Sequence, residues 1–324
     1  MSPTRPLVPG VWCPVSTFYT ATDDIDTATI GKHVVRLASA GITGIVTLGS
    51  YGEGPLLMRE EKSAVNRAAR RALDAAGFAH VPVISGVTEQ SVKSGVAMAT
   101  DAAVAGADAV LVVAASYFRS FADATYLKDY FTGIADGSPV PVIIYNFPGV
   151  TGGIDMSSEL LLELSTHPNI VGTKFTCGNS GKLARVAGGV PSAVGPLNPG
   201  ASVAEGGYMC IAGMADFLTQ ALSVGGAGVI SGPANIVPKT VVRVYKLFAA
   251  GNYAEAFAAQ RELSRSDYEL TNLGPEGTKL ALERYFGYGG HVRRPMRRVE
   301  DAVAAAEIAG AEGVAKDVAF ERSL

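Results

Sequence analysis

The chain has 324 residues, 48% hydrophobic and 18% charged, with a formal net charge of −3. That mixture excludes a disordered chain. The slightly negative balance, without a long Lys/Arg run, argues against nucleic acid or an anionic membrane as the main partner.

Short apolar runs recur along the chain at Gly10–Val15, Gly44–Leu48, Val81–Gly86, Ala109–Val113, Val140–Tyr145, Ile170–Lys174, Tyr208–Ala212 and Gly228–Ile230. Amphipathic helical patterns lie between them at Thr27–Ala40, Arg59–Ala76, Thr88–Ala105, Met156–Thr166, Asp216–Val224 and Val237–Ala249. Strands that are apolar throughout and alternate with helices predict a parallel sheet covered on its outer face. Eight such units in residues 1–250 match a closed (β/α)8 TIM barrel. The doubly wound alternative would want a G-x-G-x-x-G turn after the first strand, where Ser16-Thr17-Phe18-Tyr19 stands instead.

Beyond residue 250 the pattern becomes helical only, at Asn252–Ser266, Thr278–Tyr285 and Val299–Ala309. Residues 251–324 are therefore expected to form a helical extension packed on the barrel. Gly274-Pro275-Glu276-Gly277 and Gly287-Tyr288-Gly289-Gly290 are expected as turns within it. No run of about 18 apolar residues predicts a membrane span. Met1–Pro6 has no apolar signal region, so a cytosolic location is expected.

Cys13, Cys177 and Cys210 are dispersed, with no C-x-x-C pair and no disulfide framework. His33, His80, His167 and His291 have no metal-ligand spacing, so no zinc site is expected, and the amine chemistry read below requires no metal or organic cofactor. Lys174 ends the sixth run, Asn169-Ile170-Val171-Gly172-Thr173-Lys174. Desolvation disfavours the charged form of a buried lysine amine, and a neutral amine attacks carbonyl carbon to form a Schiff base. A lysine at a strand end also snorkels or pairs structurally, so its companions decide. Gly49-Ser50-Tyr51-Gly52-Glu53 follows the second run, Ser116-Tyr117-Phe118-Arg119 the fourth, and Tyr145-Asn146-Phe147-Pro148 closes the fifth. In a barrel these segments share one mouth.

With Thr151-Gly152, Gly172-Thr173-Lys174, Gly228-Val229-Ile230-Ser231 and Ala234-Asn235, these segments resemble the dihydrodipicolinate synthase/N-acetylneuraminate lyase family of class I aldolases over nearly the whole chain. The resemblance implies that Lys174 condenses with the ketone of a 2-keto acid. It implies that Tyr145 transfers protons, that Ser50 joins a hydroxyl relay, and that Tyr117 enters a neighbouring subunit of a homotetramer. The Gly49–Gly52 loop would offer the Ser50 and Tyr51 N–H groups to the substrate carboxylate. Val150, Thr176, Gly213 and Ile230 complete the expected substrate contacts.

Within that family, the lysine-biosynthetic synthases carry an arginine where Gly149-Val150 stands, and a Thr-Thr pair where Ser50-Tyr51 stands. The Gly-Ser-x-Gly-Glu loop, His167–Gly172 and Phe286–Gly290 resemble instead the 2-keto-3-deoxy sugar-acid and 4-hydroxy-2-oxoglutarate aldolase branch. Uncharged Val150, Phe175, Thr176 and Cys177 suit a neutral, hydroxylated aldehyde half. The expected reaction is cleavage of a six-carbon 2-keto-3-deoxy acid, such as L-threo-3-deoxy-hexulosonate, to pyruvate and glyceraldehyde. A 4-hydroxy-2-oxoglutarate aldolase, a dihydrodipicolinate synthase, a dehydratase of the same fold, and a non-catalytic keto-acid-binding barrel stay open as alternatives.

Overall fold

Eight short runs of largely β-branched residues, buried along their length, form the strands of the protein. They are β1 (Gly10–Pro14), β2 (Gly44–Thr47), β3 (Val83–Val87), β4 (Ala109–Val113), β5 (Val142–Asn146), β6 (Ile170–Phe175), β7 (Met209–Ala212) and β8 (Gly228–Ile230). All neighbours pair in parallel, and β8 pairs back onto β1, closing a barrel in sequence order. The structure, a computed structural model, describes residues 5–324. The strands alternate with α1 (Thr27–Ser39), α2 (Arg59–Ala75), α3 (Val92–Val104), α4 (Ala124–Gly137), α5 (Ser158–Leu164), α6 (Ser180–Gly189), α7 (Leu218–Leu222) and α8 (Pro238–Ala249). The protein is a (β/α)8 TIM barrel. None of its described helices is long and apolar enough to cross a membrane.

Helices α4 and α6 were not singled out by periodicity, yet both have local causes. Asp123 caps α4 by accepting from Tyr126 N at 2.8 Å, and Asn179 caps α6 by accepting from Lys182 N at 2.8 Å. Leu127, Tyr130, Phe131 and Ile134 then form the buried stripe of α4.

The core has two layers. Trp12, Val46, Ile84, Leu111, Ile143 and Ile211 fill the barrel, while alternate strand residues such as Cys13, Ile45 and Val112 pack outward against the helices. Strand β6 breaks this alternation once. Ile170 packs outward and Val171 inward. A register shift opposite Val142/Ile143 then leaves one extra residue in β6, so Gly172 pairs with Ile143. From there Thr173 faces outward, its hydroxyl 2.6 Å from the Tyr208 phenol, and Lys174 faces the barrel interior. A Cβ on residue 172 would lie 2.7 Å from the Met209 carbonyl oxygen, which is why glycine stands at the bulge.

Four further helices follow: α9 (Tyr253–Asn272), α10 (Gly274–Phe286), α11 (Ala302–Gly310) and α12 (Glu312–Ser323). Gly274-Pro275-Glu276-Gly277, expected as a turn, is instead the first turn of α10. Proline fits there because its fixed φ suits a helix start and its missing N–H has no intrahelical acceptor. Gly287, at φ 71°, ends that helix. Helix α12 carried no clear sequence signal.

These helices bond directly to the barrel. Gln260 of α9 accepts from Thr219 N at 2.9 Å and donates to Ala215 O at 2.8 Å. Glu321 of α12 accepts from Lys239 N and Thr240 N at 2.9 and 2.8 Å, capping α8. Lys279 of α10 reaches Glu53, after β2, at 2.6 Å, with both side chains fully buried. The other Glu53 oxygen accepts from Arg293 N at 2.7 Å. Burial holds the Lys279 ammonium below its ordinary value, against the opposing pull of Glu53.

Lys279→Met leaves the Glu53 carboxylate buried without its cation, an expected loss of about 3–5 kcal/mol. The double variant Glu53→Gln/Lys279→Met should lose much less than the sum of the single changes, measured by urea unfolding.

Candidate active site

The bulge places Lys174 directly opposite Tyr145 across the β5–β6 ladder. Their side chains are 4% and 6% exposed, and the Lys174 Nζ sits 4.2 Å from the centroid of the Tyr145 ring. The electron-rich ring face favours any positive charge on that nitrogen. Phe147 stacks on the Tyr145 ring at 5.5 Å and fixes its plane.

Lys174 opens into a cavity of about 200 Å³, which Ser50, Tyr51, Tyr145, Thr176, Gly213 and Ile230 also line. A neighbouring cavity of about 370 Å³ shares Ser50 and Tyr145 and adds Gly49, Val150 and Gln90. Together they form the mouth of the barrel and are of small-ligand size. Lys174 is the only lysine or arginine lining either one among the described residues.

Several details fit an oxo-acid. Neither the Ser50 nor the Tyr51 backbone N–H donates to another described group, so the turn after β2 offers two unspent donors at the cavity edge. The Thr176 Oγ1 is buried without a hydrogen-bond partner. A Cβ on residue 213 would fall 2.0 Å from that oxygen, so Gly213 leaves the hydroxyl its space. The Tyr51 ring packs on Gly232, where a Cβ would meet it at 2.2 Å, and burial pushes its phenol above the ordinary tyrosine range.

Three expected site residues stand apart from the Lys174 cavity. Gly49, and Val150, half exposed in the short Pro148–Val150 helical turn, line the outer cavity only. Tyr117 lines neither cavity of its own chain; its ring is 79% exposed, beside Phe118 at 5.0 Å. Gln90 fixes that loop by accepting from Ser116 N and Tyr117 N at 3.0 and 2.9 Å. Cys177 is half-buried and lines neither cavity, whereas Cys13 and Cys210 are buried.

Other contributors were not anticipated. Asn146 belongs to the Tyr145-Asn146-Phe147-Pro148 segment, but its role is structural: it donates to Asp155 at 2.8 Å and accepts from Met156 N at 3.1 Å, pinning the loop after β5. Asp267 and Thr271 of α9 reach the Lys174 cavity from the C-terminal extension. A signal for Asp267 existed: it is the one acidic residue in the buried stripe of α9, with Ala256, Gln260, Leu263, Ser266 and Leu270. Asp267 accepts from Ala215 N at 3.1 Å. Burial, and next the charge of Asp216, push its carboxyl up to about 7. No group of His, Cys, Asp and Glu side chains among the described residues is arranged to hold a metal.

An amine and a phenol at adjacent strand ends, beside a turn of free N–H groups, define a (β/α)8 barrel equipped for carbonyl chemistry on a small acid. The chain belongs to the dihydrodipicolinate synthetase family, whose model matches residues 8–307. It is 47% identical to the L-threo-3-deoxy-hexylosonate aldolase of Hypocrea jecorina, over 97% of this chain and 98% of that protein. It is 42% identical to an Emericella nidulans protein named "Probable 4-hydroxy-2-oxoglutarate aldolase, mitochondrial", over 99% and 98% of the two chains. Among solved structures, YagE of E. coli K12 in complex with pyruvate superposes with a TM-score of 0.79 at 28% identity, covering 94% and 97% of the two chains.

Because the Asp267 carboxyl titrates near 7 when folded and near 4 when unfolded, the folded state binds the extra proton between those values. Its contribution therefore favours folding at low pH and fades as pH rises toward 7. Denaturant titrations should show Asp267→Asn gaining stability relative to wild type across that interval; a flat difference contradicts it.

Proposed function

We propose that the chain is a Schiff-base aldolase that cleaves a six-carbon 2-keto-3-deoxy sugar acid to pyruvate and glyceraldehyde. The observation that carries this reading is the Lys174 amine, buried over the face of Tyr145 in the barrel mouth. The names of the similar Hypocrea protein and the pyruvate complex of YagE support it.

In this mechanism Lys174 Nζ adds to the C2 carbonyl and water leaves, giving a ketimine. The protonated imine is an electron sink that the free ketone is not. Tyr145 takes the proton of the C4 hydroxyl. The C3–C4 bond breaks, its electron pair moves into the imine system, and glyceraldehyde departs from the enamine. Protonation at C3 and addition of water then release pyruvate and restore the amine. The Ser50 and Tyr51 N–H groups bind the substrate carboxylate, and the Ser50 hydroxyl relays protons. Neutral donors suit that place because they leave Lys174 as the only amine near the carbonyl. Thr176, Gly213 and Ile230 shape the pocket, and Val150 forms the outer rim.

A neutral aldehyde half is favoured over glyoxylate or aspartate semialdehyde. Either alternative carries a second carboxylate or charged group, and no cation besides Lys174 lines the cavities among the described residues. Residues 1–250 carry the chemistry and residues 251–324 complete one unit with them. The exposed Tyr117 ring is assigned to the site of a second copy within a homotetramer. The reaction is placed in the cytosol, although the Emericella relative is named mitochondrial.

Borohydride added with pyruvate should fix a mass increment on Lys174, and Lys174→Ala should abolish both trapping and turnover. Tyr145→Phe should trap pyruvate yet lower kcat by about 10²–10⁴-fold. An unmodified Lys174 refutes the mechanism. Sedimentation should find an oligomer, and Tyr117→Phe should keep that assembly while lowering kcat. A fully active monomer would refute the role given to Tyr117.

A further inference from the structure

Of the side chains lining the Lys174 cavity, Lys174 is the only base and Asp267 the only carboxyl. Lys174 and Tyr145 come from the strands, whereas Asp267 comes from α9, outside the barrel sequence. It is 1% exposed and anchored by Ala215 N at 3.1 Å. Thr271 lies four residues further along the same helix, on the same face, and lines the same cavity. The buried Thr176 Oγ1, without a partner, adds a third oxygen to this wall.

We infer that Asp267, assisted by Thr271, determines which aldehyde half the cavity accepts, holding hydroxylated uncharged halves and rejecting carboxylated ones. The inference rests on the aldolase reading above and adds the residue that sets its specificity. A carboxylate accepts hydrogen bonds from the hydroxyls of a glyceraldehyde half. A second substrate carboxylate, as in glyoxylate, would share a low-dielectric space with the Asp267 carboxyl, and the one cation there, Lys174, is already committed to the Schiff base, so repulsion or the uptake of a further proton disfavours it. The α-carboxylate common to both substrates is served by the free N–H groups of Ser50 and Tyr51 on another wall element of the cavity, the turn after β2. Asp267 thus discriminates between the variable halves and leaves pyruvate binding alone.

The test runs in the condensing direction with the full chain. The enamine methyl carbon of pyruvate bonds to the aldehyde carbon, whose oxygen takes a proton. The products with glyceraldehyde and with glyoxylate are assayed separately. Asp267→Asn keeps an acceptor for Ala215 N and removes the charge. Its kcat/KM ratio, glyceraldehyde over glyoxylate, should fall about tenfold or more, through a loss on the first aldehyde and a gain on the second. Borohydride trapping of pyruvate on Lys174 should be undiminished. A ratio within twofold of wild type overturns the inference. Should Asp267→Asn fail to trap pyruvate, Thr271→Val decides: its ratio should fall severalfold through glyceraldehyde alone, and an unchanged ratio overturns the inference. Failure of the wild type to trap pyruvate refutes the aldolase reading itself, a separate result.

Discussion

The site depends on one extra residue in β6. Side chains alternate along a strand, so a regular β6 that points Val171 inward would point Lys174 outward, into the layer of helices. The register shift opposite Val142/Ile143 restores the inward direction at Lys174. It also sets that residue level with Tyr145 rather than one position away. Gly172 permits the shift because the Met209 carbonyl occupies the place a Cβ would need. A bulge here re-aims one side chain while the ladder resumes on both sides, a common use of bulges near active sites.

A second constraint acts on the turn after β2. Free backbone donors attract an anion only if the turn keeps its shape when empty, and short glycine-rich turns do not hold themselves rigid. Glu53 supplies the rigidity. It adopts a left-handed conformation at φ 53° and is gripped by Lys279 and by the Arg293 N–H, both from the C-terminal extension. Arg293 also pairs with Glu61 at 2.6 Å, tying α2 into the same cluster. The extension therefore stabilises the turn that carries the free Ser50 and Tyr51 N–H groups, and through Asp267 it also reaches the cavity of the amine.

Much of this was legible in the sequence, for physical reasons that differ by element. Buried parallel strands must be apolar on both faces, so all eight runs stood out, with ends within a few residues of those observed. Lys174, Tyr145 and the Gly49–Gly52 turn were legible because polar and glycine residues at strand ends interrupt that pattern. The bulge was not legible, since Val171-Gly172 reads like any strand interior. Helix α6 was hidden because its apolar residues are few, Leu183, Val186 and Ala187, and its Asn179 cap resembles ordinary loop chemistry. Glu53 read as the end of a turn motif, because its partner Lys279 lies 226 residues away.

Asp267 shows what kind of sequence signal such a site leaves. A charged residue on the buried stripe of a helix needs a partner or a purpose, because burial alone disfavours its ionised form. Asp267 has no cation within salt-bridge distance among the described residues, although Ala215 lends it a backbone N–H. Gln260, about two helical turns earlier on that stripe, is fully used by Thr219 and Ala215 and is explained by docking. Asp267 docks on the same segment through Ala215 N, but an amide at position 267 would accept that N–H without the cost of a carboxyl. The carboxyl at that position is therefore better explained by the cavity it lines than by the helix that carries it. The helical tail and the barrel thus share the Lys174 cavity, and on the inference drawn above the choice of aldehyde can vary through α9 while the strands that carry Lys174 and Tyr145 stay fixed.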